Sequence, residues 1–239
     1  MADGSVCAVV PAWNEQANIR AVINDLRLHQ SEIDIVVVDD FSSDETAATA
    51  RTANVTVLEL PVNLGIGGAV QTGFMYARDH GYEIAIQFDG DGQHRAVEID
   101  TILGPIRQDR ADVVIGSRFT GGSRYSVGFF RWAGITLLRW LSRLLTGYRV
   151  TDNTSGFRAF NRQAIEFLAR FYSQDYPEPQ AVIELYRNRF RIEEVPVEMV
   201  PRRHGKSSIR KLKSGYYMFK VIMANIVAFT RRPEQRTGG

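Results

Sequence analysis

The sequence contains one cysteine, no long apolar run and little net charge, and each shortage excludes a class of protein. The single Cys7 rules out an internal disulfide, which fits a reducing compartment. No segment reaches the roughly 18–20 uninterrupted apolar residues of a membrane-spanning helix. The first residues lack the basic region and the apolar stretch of a signal peptide. These shortages predict a cytoplasmic protein that contacts membranes only at its surface.

Lysine and arginine number 29 and aspartate and glutamate 27, so the formal net charge of +2 gives no indication of nucleic-acid binding. The four histidines are never spaced as metal ligands, and we expect them at the surface or in packing. The chain has 239 residues, 44% of them hydrophobic, which is enough for one substantial globular domain. Since no linker or internal repeat interrupts it, the sequence predicts one domain with a C-terminal extension.

Short apolar runs alternate with amphipathic patterns through the first half of the chain. They predict strands at residues 5–10, 33–38, 55–60, 83–88 and 112–117, with helices near 19–26, 70–81 and 96–108. Ser42 and Glu45 have capping-box spacing for a further helix that runs through Arg51. This alternation predicts an α/β fold in which a mostly parallel, twisted sheet carries helices on both faces.

The second half is richer in helical patterns. Residues 129–146, 161–171 and 177–189 are predicted as helices, and the polar segment 151–158 as a loop. Residues 192–200 alternate as a strand in which Pro196 indicates a sheet edge. Residues 209–239 are predicted to form an amphipathic helix and a basic tail. The apolar surfaces of 129–146 and 216–229 lie beside cations, which suits an anionic membrane interface, packing on the core or a homo-oligomer interface.

Four polar or glycine-rich loops are predicted at the carboxyl ends of the strands, where α/β sheets bind ligands. They comprise residues 11–15, 39–40, 63–68 and 89–93. Asp89 and Asp91 can converge on one hard divalent cation, with the amide oxygen of Gln93 as a third ligand. Phosphates usually complete such a site, which indicates a nucleotide or nucleotide-sugar. The alternative is an acidic turn that caps the next helix.

The other polar segments also have competing interpretations. The pair Asp39-Asp40 is similar to the Mg²⁺-binding acids of receiver domains, but there the pair follows the first strand. Asp39 suits helix capping, whereas Asp40 suits accepting a hydrogen bond from a base N–H. Asp152 is a general base, an acceptor-positioning carboxylate or part of a helix cap, and Arg158 is a phosphate or structural partner. Residues 202–208 form either a solvated charge run or a loop that folds over phosphates.

Taken in order, these stretches resemble the family 2 glycosyltransferases, especially the polyprenyl-phosphate sugar transferases related to dolichol-phosphate mannosyltransferase. The matching stretches are residues 10–15, 38–44, 63–67, 89–94, 116–118, 151–160 and 202–207. They run from residue 9 to about 208, and jointly they are specific. The resemblance implies a GT-A fold over residues 1–208 and an inverting, metal-dependent transfer from a nucleoside-diphosphate sugar, with Mg²⁺ or Mn²⁺ as cofactor.

The resemblance also implies roles for single residues. It assigns nucleotide-sugar binding to Pro11, Ala12, Asn14, Glu15, Asp40, Gly65, Gly67, Asp89, Gly90 and Asp91. It assigns the metal to Asp89, Asp91 and Gln93, and catalysis to Asp91, Arg118 and Asp152. It assigns phosphate or acceptor binding to Arg118, Arg131, Arg202, Lys206 and Ser207.

The implied acceptor is a polyprenyl phosphate at the inner face of the cell membrane. The alternative acceptor is a hydroxyl of a saccharide or glycolipid in cell-envelope synthesis. Two departures bear on this choice: many relatives carry transmembrane helices after the catalytic domain, and residues 175–180 differ from the Phe-x-x-Glu pattern of the mannosyltransferases. The competing classes are a nucleotidyltransferase, whose first loop is glycine-rich and basic unlike residues 11–15, and a degenerate binding module, which the presence of Asp89, Asp91 and Asp152 disfavours.

Overall fold

The computed structural model describes residues 5–120, 136–137, 143–144, 150–173, 177–201, 223 and 229–230. Its strands are β1 (Val6–Ala12), β2 (Asp34–Asp39), β3 (Thr56–Glu59), β4 (Ile84–Gln87), β5 (Val113–Ser117), β6 (Arg158–Asn161) and β7 (Ile192–Pro196). Its helices are α1 (Gln16–His29), α2 (Thr46–Arg51), α3 (Gly65–Asp79), α4 (Ile99–Arg107, after a 3₁₀ turn at Ala96–Glu98), α5 (Arg162–Phe171) and α6 (Pro177–Arg187). The helix predicted over 129–146 and the extension predicted over 209–239 lie almost entirely outside the described residues.

These strands form one sheet in the order β3-β2-β1-β4-β6-β5-β7. β1 pairs in parallel with β2 and β4, β2 with β3, and β5 with β7. Among the described strands only β6 runs against its neighbours, β4 and β5. The mostly parallel sheet is therefore confirmed. Pro196 lies in β7 at the sheet edge, as predicted, where a residue without an N–H is tolerated.

Alternation along the strands supplies two separate cores, one on each face of the sheet. Val37 joins α1 and α4 in one core, whereas Val38 joins α3, α5 and α6 in the other. At the centre of the second core, Phe74 packs edge-on against Phe160 and Tyr172, with ring centroids 4.9 Å and 5.4 Å away. Each large apolar side chain buried in this way contributes about 1.5–3 kcal/mol. Helices on both faces are thus confirmed.

Strand β6 was not predicted, because the sequence patterns indicate a loop up to the helix at residue 161. The structure instead places a four-residue strand there. Arg158 opens the strand, fully buried, and Asn161 closes it, so the strand has no apolar alternation. Its hydrogen bonds go to β4 and β5, which are distant in sequence. A strand held by such pairing leaves little local signature.

The capping box predicted for the second helix is wrong. The helix α2 begins at Thr46, and the side chain of its N-cap residue, Glu45, makes no capping hydrogen bond. The hydroxyl of Ser42 instead accepts a hydrogen bond from the backbone N–H of Asn14 at 2.9 Å. The side chain that would cap the helix therefore joins two loops, and the helix starts later than its sequence pattern indicates.

Asn161 caps α5, and its removal should measurably destabilise the protein. Its side-chain oxygen accepts from the backbone N–H of Ala164 at 3.0 Å, and its side-chain nitrogen donates to Asp112 at 3.0 Å. We expect Asn161→Ala to lower the free energy of unfolding by about 1–2 kcal/mol, because both bonds are lost. The control Asn161→Ser keeps a capping hydroxyl and should lose about half as much. Urea unfolding followed by circular dichroism measures both, and equal losses would contradict a capping contribution.

Candidate functional site

The loops that follow β1 and β2 are joined by side-chain hydrogen bonds. The backbone N–H of Asn14 donates to Ser42 Oγ at 2.9 Å. Asn14 Oδ1 accepts from the backbone N–H and the hydroxyl of Ser43, at 2.8 Å and 3.1 Å. Asn14 and Phe41 have φ angles of 54° and 59°, in the left-handed region. A bulky residue such as Phe41 adopts that conformation only where its surroundings impose it, so these contacts fix the shape of the edge.

Glu15 and Ala12 connect the first loop to α2 and β2. The backbone N–H of Glu15 donates to Thr46 Oγ1 at 2.8 Å, and its carboxylate accepts from Asn18 Nδ2 at 2.7 Å. The carbonyl of Ala12 accepts from the backbone N–H of Asp40 at 2.9 Å. These bonds place the predicted nucleotide-binding residues of the first loop directly beside those of the second.

The two acids after β2 have different surroundings. Asp39 Oδ2 accepts from the backbone N–H of Ser42 at 3.1 Å, and Asp39 Oδ1 is buried without a hydrogen-bond partner among the described residues. Asp40 accepts from the backbone N–H groups of Leu64 and Gly65, at 2.7 Å and 2.9 Å. Burial raises the pKa of Asp40 above its ordinary value, although these two bonds act in the opposite direction. Asp40 thus joins β2 to the glycine-rich start of α3, and its contact with a nucleobase stays a prediction.

The loop after β4 lies against the end of β1. The backbone N–H of Gly90 donates to the carbonyl of Pro11 at 3.3 Å. A Cβ at residue 90 would lie 3.0 Å from that same oxygen, so a side chain there would push the loop away from β1. The first N–H of the next helical turn, that of Ala96, donates to the carboxylate of Asp25 at 2.9 Å, and the N-cap residue Arg95 makes no side-chain capping bond. The interpretation as an acidic helix cap is therefore wrong.

Asp89, Asp91 and Gln93 are half-buried and offer oxygen atoms at this edge. Asp91 Oδ1 accepts from the backbone N–H of Gln93 at 3.0 Å, and the side chain of Gln93 donates to the carbonyl of Val200 at 3.4 Å. Carboxylate and amide oxygens are the donors that Mg²⁺ and Mn²⁺ prefer, so the residues fit such a cation. No three His, Cys, Asp or Glu side chains in the described chain cluster as a metal site. A cation held here therefore needs further oxygen ligands, such as those of a diphosphate.

His94 is buried next to these acids. The backbone N–H of Asp89 donates to His94 Nδ1 at 3.0 Å, and Nε2 lies 3.6 Å from Asp89 Oδ2. Burial lowers the pKa of His94 to about 4, so the ring is neutral near pH 7 and carries its proton on Nε2. The ring stacks on Phe157, with centroids 4.8 Å apart. The predicted packing role is confirmed for His94, whereas its bond to Asp89 was missed.

Arg118 and Asp152 form a buried ion pair at the end of β5. Asp152 accepts from the backbone N–H, Nε and Nη2 of Arg118, at 3.1 Å, 2.7 Å and 2.7 Å. The side chain of Asp152 is 0% exposed and that of Arg118 is 7% exposed. Burial acts to raise the pKa of Asp152, but the hydrogen bonds and charge of Arg118 outweigh it and hold the pKa below its ordinary value. The carboxylate is therefore ionised and faces Arg118 rather than solvent.

Glu194, on β7, holds the backbone that carries Asp152. Its carboxylate accepts from the backbone N–H and the hydroxyl of Thr151, at 2.7 Å and 3.0 Å, and from the backbone N–H of Asp152 at 2.8 Å. Burial raises the pKa of Glu194 despite these bonds. Glu194 was not predicted as a site residue. The feature of the sequence that could have indicated it is an acidic residue in the middle of a strand.

Arg158 is a structural partner of the same segment. Its Nε, Nη1 and Nη2 donate to the carbonyls of Ser155, Glu178 and Asn153, at 2.8 Å, 3.0 Å and 3.1 Å. The side chain is fully buried. Of the two interpretations of Arg158, the structural one fits these contacts, because the guanidinium binds backbone carbonyls inside the fold.

The carboxyl ends of β1, β2, β4 and β5 thus meet the start of α3 at one edge, with the predicted nucleotide, metal and ion-pair residues among them. The predicted phosphate ligands Arg131, Arg202, Lys206 and Ser207 lie outside the described residues. In the part of the chain that the structure describes, no helix has both the length and the apolar character needed to span a bilayer.

Comparison with known proteins identifies relatives along nearly the whole chain. The family model for glycosyl transferase family 2 matches residues 7–168. A UDP-N-acetylglucosamine–dolichyl-phosphate N-acetylglucosaminyltransferase of Methanococcus voltae is 30% identical, over 92% of this chain and 95% of that protein. An undecaprenyl-phosphate mannosyltransferase of Micrococcus luteus is 31% identical, over 85% and 87%. A polyprenol monophosphomannose synthase of Mycolicibacterium smegmatis is 29% identical, over 89% and 84%.

Among solved structures, glucosyl-3-phosphoglycerate synthase from Mycobacterium tuberculosis, in complex with Mn²⁺, uridine diphosphate and glucosyl-3-phosphoglycerate, superposes with a TM-score of 0.75. The match covers 97% of this chain and 82% of that one, at 21% sequence identity. At this identity the likeness concerns the fold alone. It confirms the GT-A fold that the resemblance implied.

Proposed function

The chain belongs to glycosyl transferase family 2, and from this membership we propose that it transfers a sugar from a nucleoside-diphosphate sugar to a polyprenyl phosphate, with inversion and with Mg²⁺ or Mn²⁺. Membership makes the chain a glycosyltransferase of the hexosyltransferase class. The acceptor, the stereochemistry and the cation are proposals. The activities named for the relatives from Methanococcus, Micrococcus and Mycolicibacterium support a polyprenyl-phosphate acceptor.

The observation that carries the proposal is the position of two charged groups, a pair of carboxylates and an ion pair, at one sheet edge. Asp89 and Asp91 follow β4, and the buried pair of Arg118 and Asp152 follows β5 on the far side of β6. A donor diphosphate that lies between these groups would share a cation with the two carboxylates on one side. On the other side it would meet the guanidinium of Arg118, which Asp152 holds in place. That arrangement suits the departure of a nucleoside diphosphate.

The donor half of the site comprises the loops after β1 and β2 and the start of α3. We propose that Pro11, Ala12, Asn14, Glu15 and Asp40 hold the nucleoside. Gly65 and Gly67 would let a phosphate or ribose approach the backbone N–H groups at the start of α3. The hydrogen bonds between Asn14, Ser42 and Ser43 support this assignment, because they fix the loops before a ligand arrives.

The metal would be held by Asp89, Asp91 and Gln93. When bound, a divalent cation supplies positive charge that stabilises the leaving diphosphate. The protein holds its ligands in place: Asp91 is fixed by the backbone N–H of Gln93, and Gly90 keeps the loop against Pro11.

The geometry of Asp152 favours a phosphate acceptor over a saccharide hydroxyl. A hydroxyl needs a general base that can reach its proton, whereas a lipid phosphate already presents an anionic oxygen. Asp152, the carboxylate assigned to that task by resemblance, is fully buried and bonded to Arg118. We propose that Asp152 positions Arg118, and that Arg118 contacts phosphate.

The remaining assignments concern the membrane side of the protein. We propose that Arg131, Arg202, Lys206 and Ser207 gather phosphates of the acceptor. The enzyme would then work peripherally at the inner face of the cell membrane, with residues 209–239 as the amphipathic extension from the domain at 1–208. Cation-rich apolar segments bind anionic membrane surfaces, which supports this placement.

A donor screen by thermal unfolding tests the proposed function. UDP-, GDP- and dTDP-sugars are each added with Mn²⁺ and, as a control, with excess chelator. We expect one nucleotide family to raise the unfolding temperature only with metal, because a ligand at 100 times its Kd stabilises the native state by about 2.7 kcal/mol. For a domain of this size that is a shift of roughly 5–10 °C. The same shift with chelator would refute metal-dependent binding, and no shift with any donor would refute the proposed function.

A further inference from the structure

The carboxylate of Asp89 occupies the space that a side chain at residue 156 would fill. A Cβ on Gly156 would lie 2.8 Å and 3.0 Å from the two carboxylate oxygens of Asp89, and 3.2 Å from Nε2 of Gln87. Real Cβ atoms essentially never approach within 3.0 Å of another heavy atom, so Asp89 would have to move. Gly156 is not among the glycines with positive φ, so alanine meets no backbone strain there. Glycine at residue 156 therefore leaves the space that the Asp89 carboxylate occupies.

The same chain segment also contacts Asp89 through His94. Phe157 follows Gly156 and stacks on the His94 ring, with an interplanar angle of 18°. The ring in turn accepts the backbone N–H of Asp89 at Nδ1, with a 3.0 Å separation. Gly156 thus lies beside the carboxylate of Asp89, while Phe157 packs on the His94 ring that binds the backbone of Asp89.

Residues 155–158 are themselves anchored to the sheet. The hydroxyl of Ser155 donates to the carbonyl of Gly116 at 2.6 Å, and the backbone N–H of Gly116 donates to the carbonyl of Phe157 at 2.9 Å. Arg158 Nε donates to the carbonyl of Ser155 at 2.8 Å. Because hydrogen bonds to Gly116 of β5 and Arg158 of β6 hold this segment, its position beside Asp89 is fixed.

From this geometry we infer that Gly156 and His94 are positioning residues that set the orientation of the Asp89 carboxylate toward the cation. The inference rests on the proposed function, since it takes Asp89 as a metal ligand. Neither residue touches the reacting atoms; both act through Asp89. A change at either residue should therefore alter how much metal the protein needs before it binds a nucleotide.

The test is a calorimetric titration of Mn²⁺ at fixed UDP, with GDP in parallel, on the full chain. We expect Gly156→Ala to raise the Mn²⁺ concentration for half-maximal nucleotide binding at least tenfold. The control is Gly104→Ala, because Gly104 lies on α4 and a Cβ there would meet no atom within 4 Å. An unchanged Mn²⁺ requirement in Gly156→Ala, or the same rise in both glycine variants, would overturn the inference alone. Loss of metal-dependent binding in the parent protein would overturn the proposed function with it.

A pair of His94 variants tests the other side of the contact and covers the case in which Gly156→Ala does not fold. His94→Phe keeps a ring to stack on Phe157 but removes the acceptor for the Asp89 N–H. We expect it to raise the Mn²⁺ requirement severalfold. His94→Asn retains an acceptor near the position of Nδ1 and should restore most of the parent value. Equal requirements in His94→Phe and the parent would overturn the assignment of His94.

Discussion

Replacing Asp91 with alanine is expected to reduce sugar transfer about a thousandfold and to abolish metal-dependent nucleotide binding. The proposed cation has two carboxylate ligands, and Asp91 is one of them. Charge stabilisation by a bound cation is worth several kcal/mol in a transition state, and about 4 kcal/mol corresponds to a factor of a thousand in rate. Transfer is measured as release of nucleoside diphosphate from the donor identified in the thermal screen.

The fold should survive this substitution. Asp91 is half-buried and accepts a bond from Gln93 within its own loop, so Asp91→Ala should change the free energy of unfolding by no more than about 1 kcal/mol. Asp100→Ala is the matched control, because Asp100 is an exposed acid on α4. It should leave transfer unchanged. Nucleotide binding by Asp91→Ala that equals the parent in excess Mn²⁺ would remove Asp91 from the metal site.

Replacing Asp152 with alanine should give the largest loss of stability. It leaves Arg118 buried without its carboxylate, and an uncompensated buried charge costs about 3–5 kcal/mol. At this chain length we expect the unfolding temperature to fall by roughly 10 °C. Activity should fall as well, because the guanidinium loses the group that orients it.

A double variant separates stability from activity. Arg118→Leu combined with Asp152→Leu removes both charges, so it should recover much of the stability that Asp152→Ala loses. Transfer should remain low in the double variant, because no guanidinium faces the donor. If the double variant is as unstable as Asp152→Ala, the loss of stability comes from the lost packing and hydrogen bonds of the two buried side chains and not from an unpaired charge. A double variant with parental activity would exclude Arg118 from phosphate binding.

The pH dependence of unfolding provides an independent measure of the pair. The pKa of Asp152 in the folded protein lies below its ordinary value, since Arg118 stabilises the charged form. The stabilisation is therefore complete above the unfolded-state pKa and is lost as pH falls through the folded-state pKa. Acid unfolding of the parent should be steeper than that of the charge-free double variant.

Local sequence patterns predicted most of the sheet because β1, β2, β4 and β5 are buried on both faces. Runs such as the one in β2 are apolar at nearly every position, which distinguishes them from the amphipathic helices. Strand β6 escaped this criterion, since it is four residues long and begins with the buried Arg158. Its existence depends on partners in β4 and β5, and no property of residues 158–161 alone reveals them.

Candidate site residues could be predicted where they lie close together in the sequence. They could not be predicted where their role depends on contacts between distant parts of the chain. Asp89 and Asp91 could be named as candidate oxygen ligands from the sequence, because they lie one residue apart at the end of an apolar strand, and that role stays a prediction. That Asp152 faces Arg118 could not, because the two are separated by a long stretch of chain and meet only when β5 and β6 pair. The contribution of Glu194 from β7 was hidden for the same reason. Spacing identifies candidate groups, whereas pairing decides which of them face solvent.

The antiparallel direction of β6 also bears on how the two proposed sides of the site are divided along the chain. β5 ends and β6 begins at the same edge of the sheet, so the chain between Arg118 and Phe157 leaves and re-enters on the side of the donor loops. A change in the length of that segment leaves unchanged the pairing of β1, β2 and β4, whose following loops are proposed to hold the donor. The proposed acceptor side and the proposed donor side are therefore carried by separate parts of the chain.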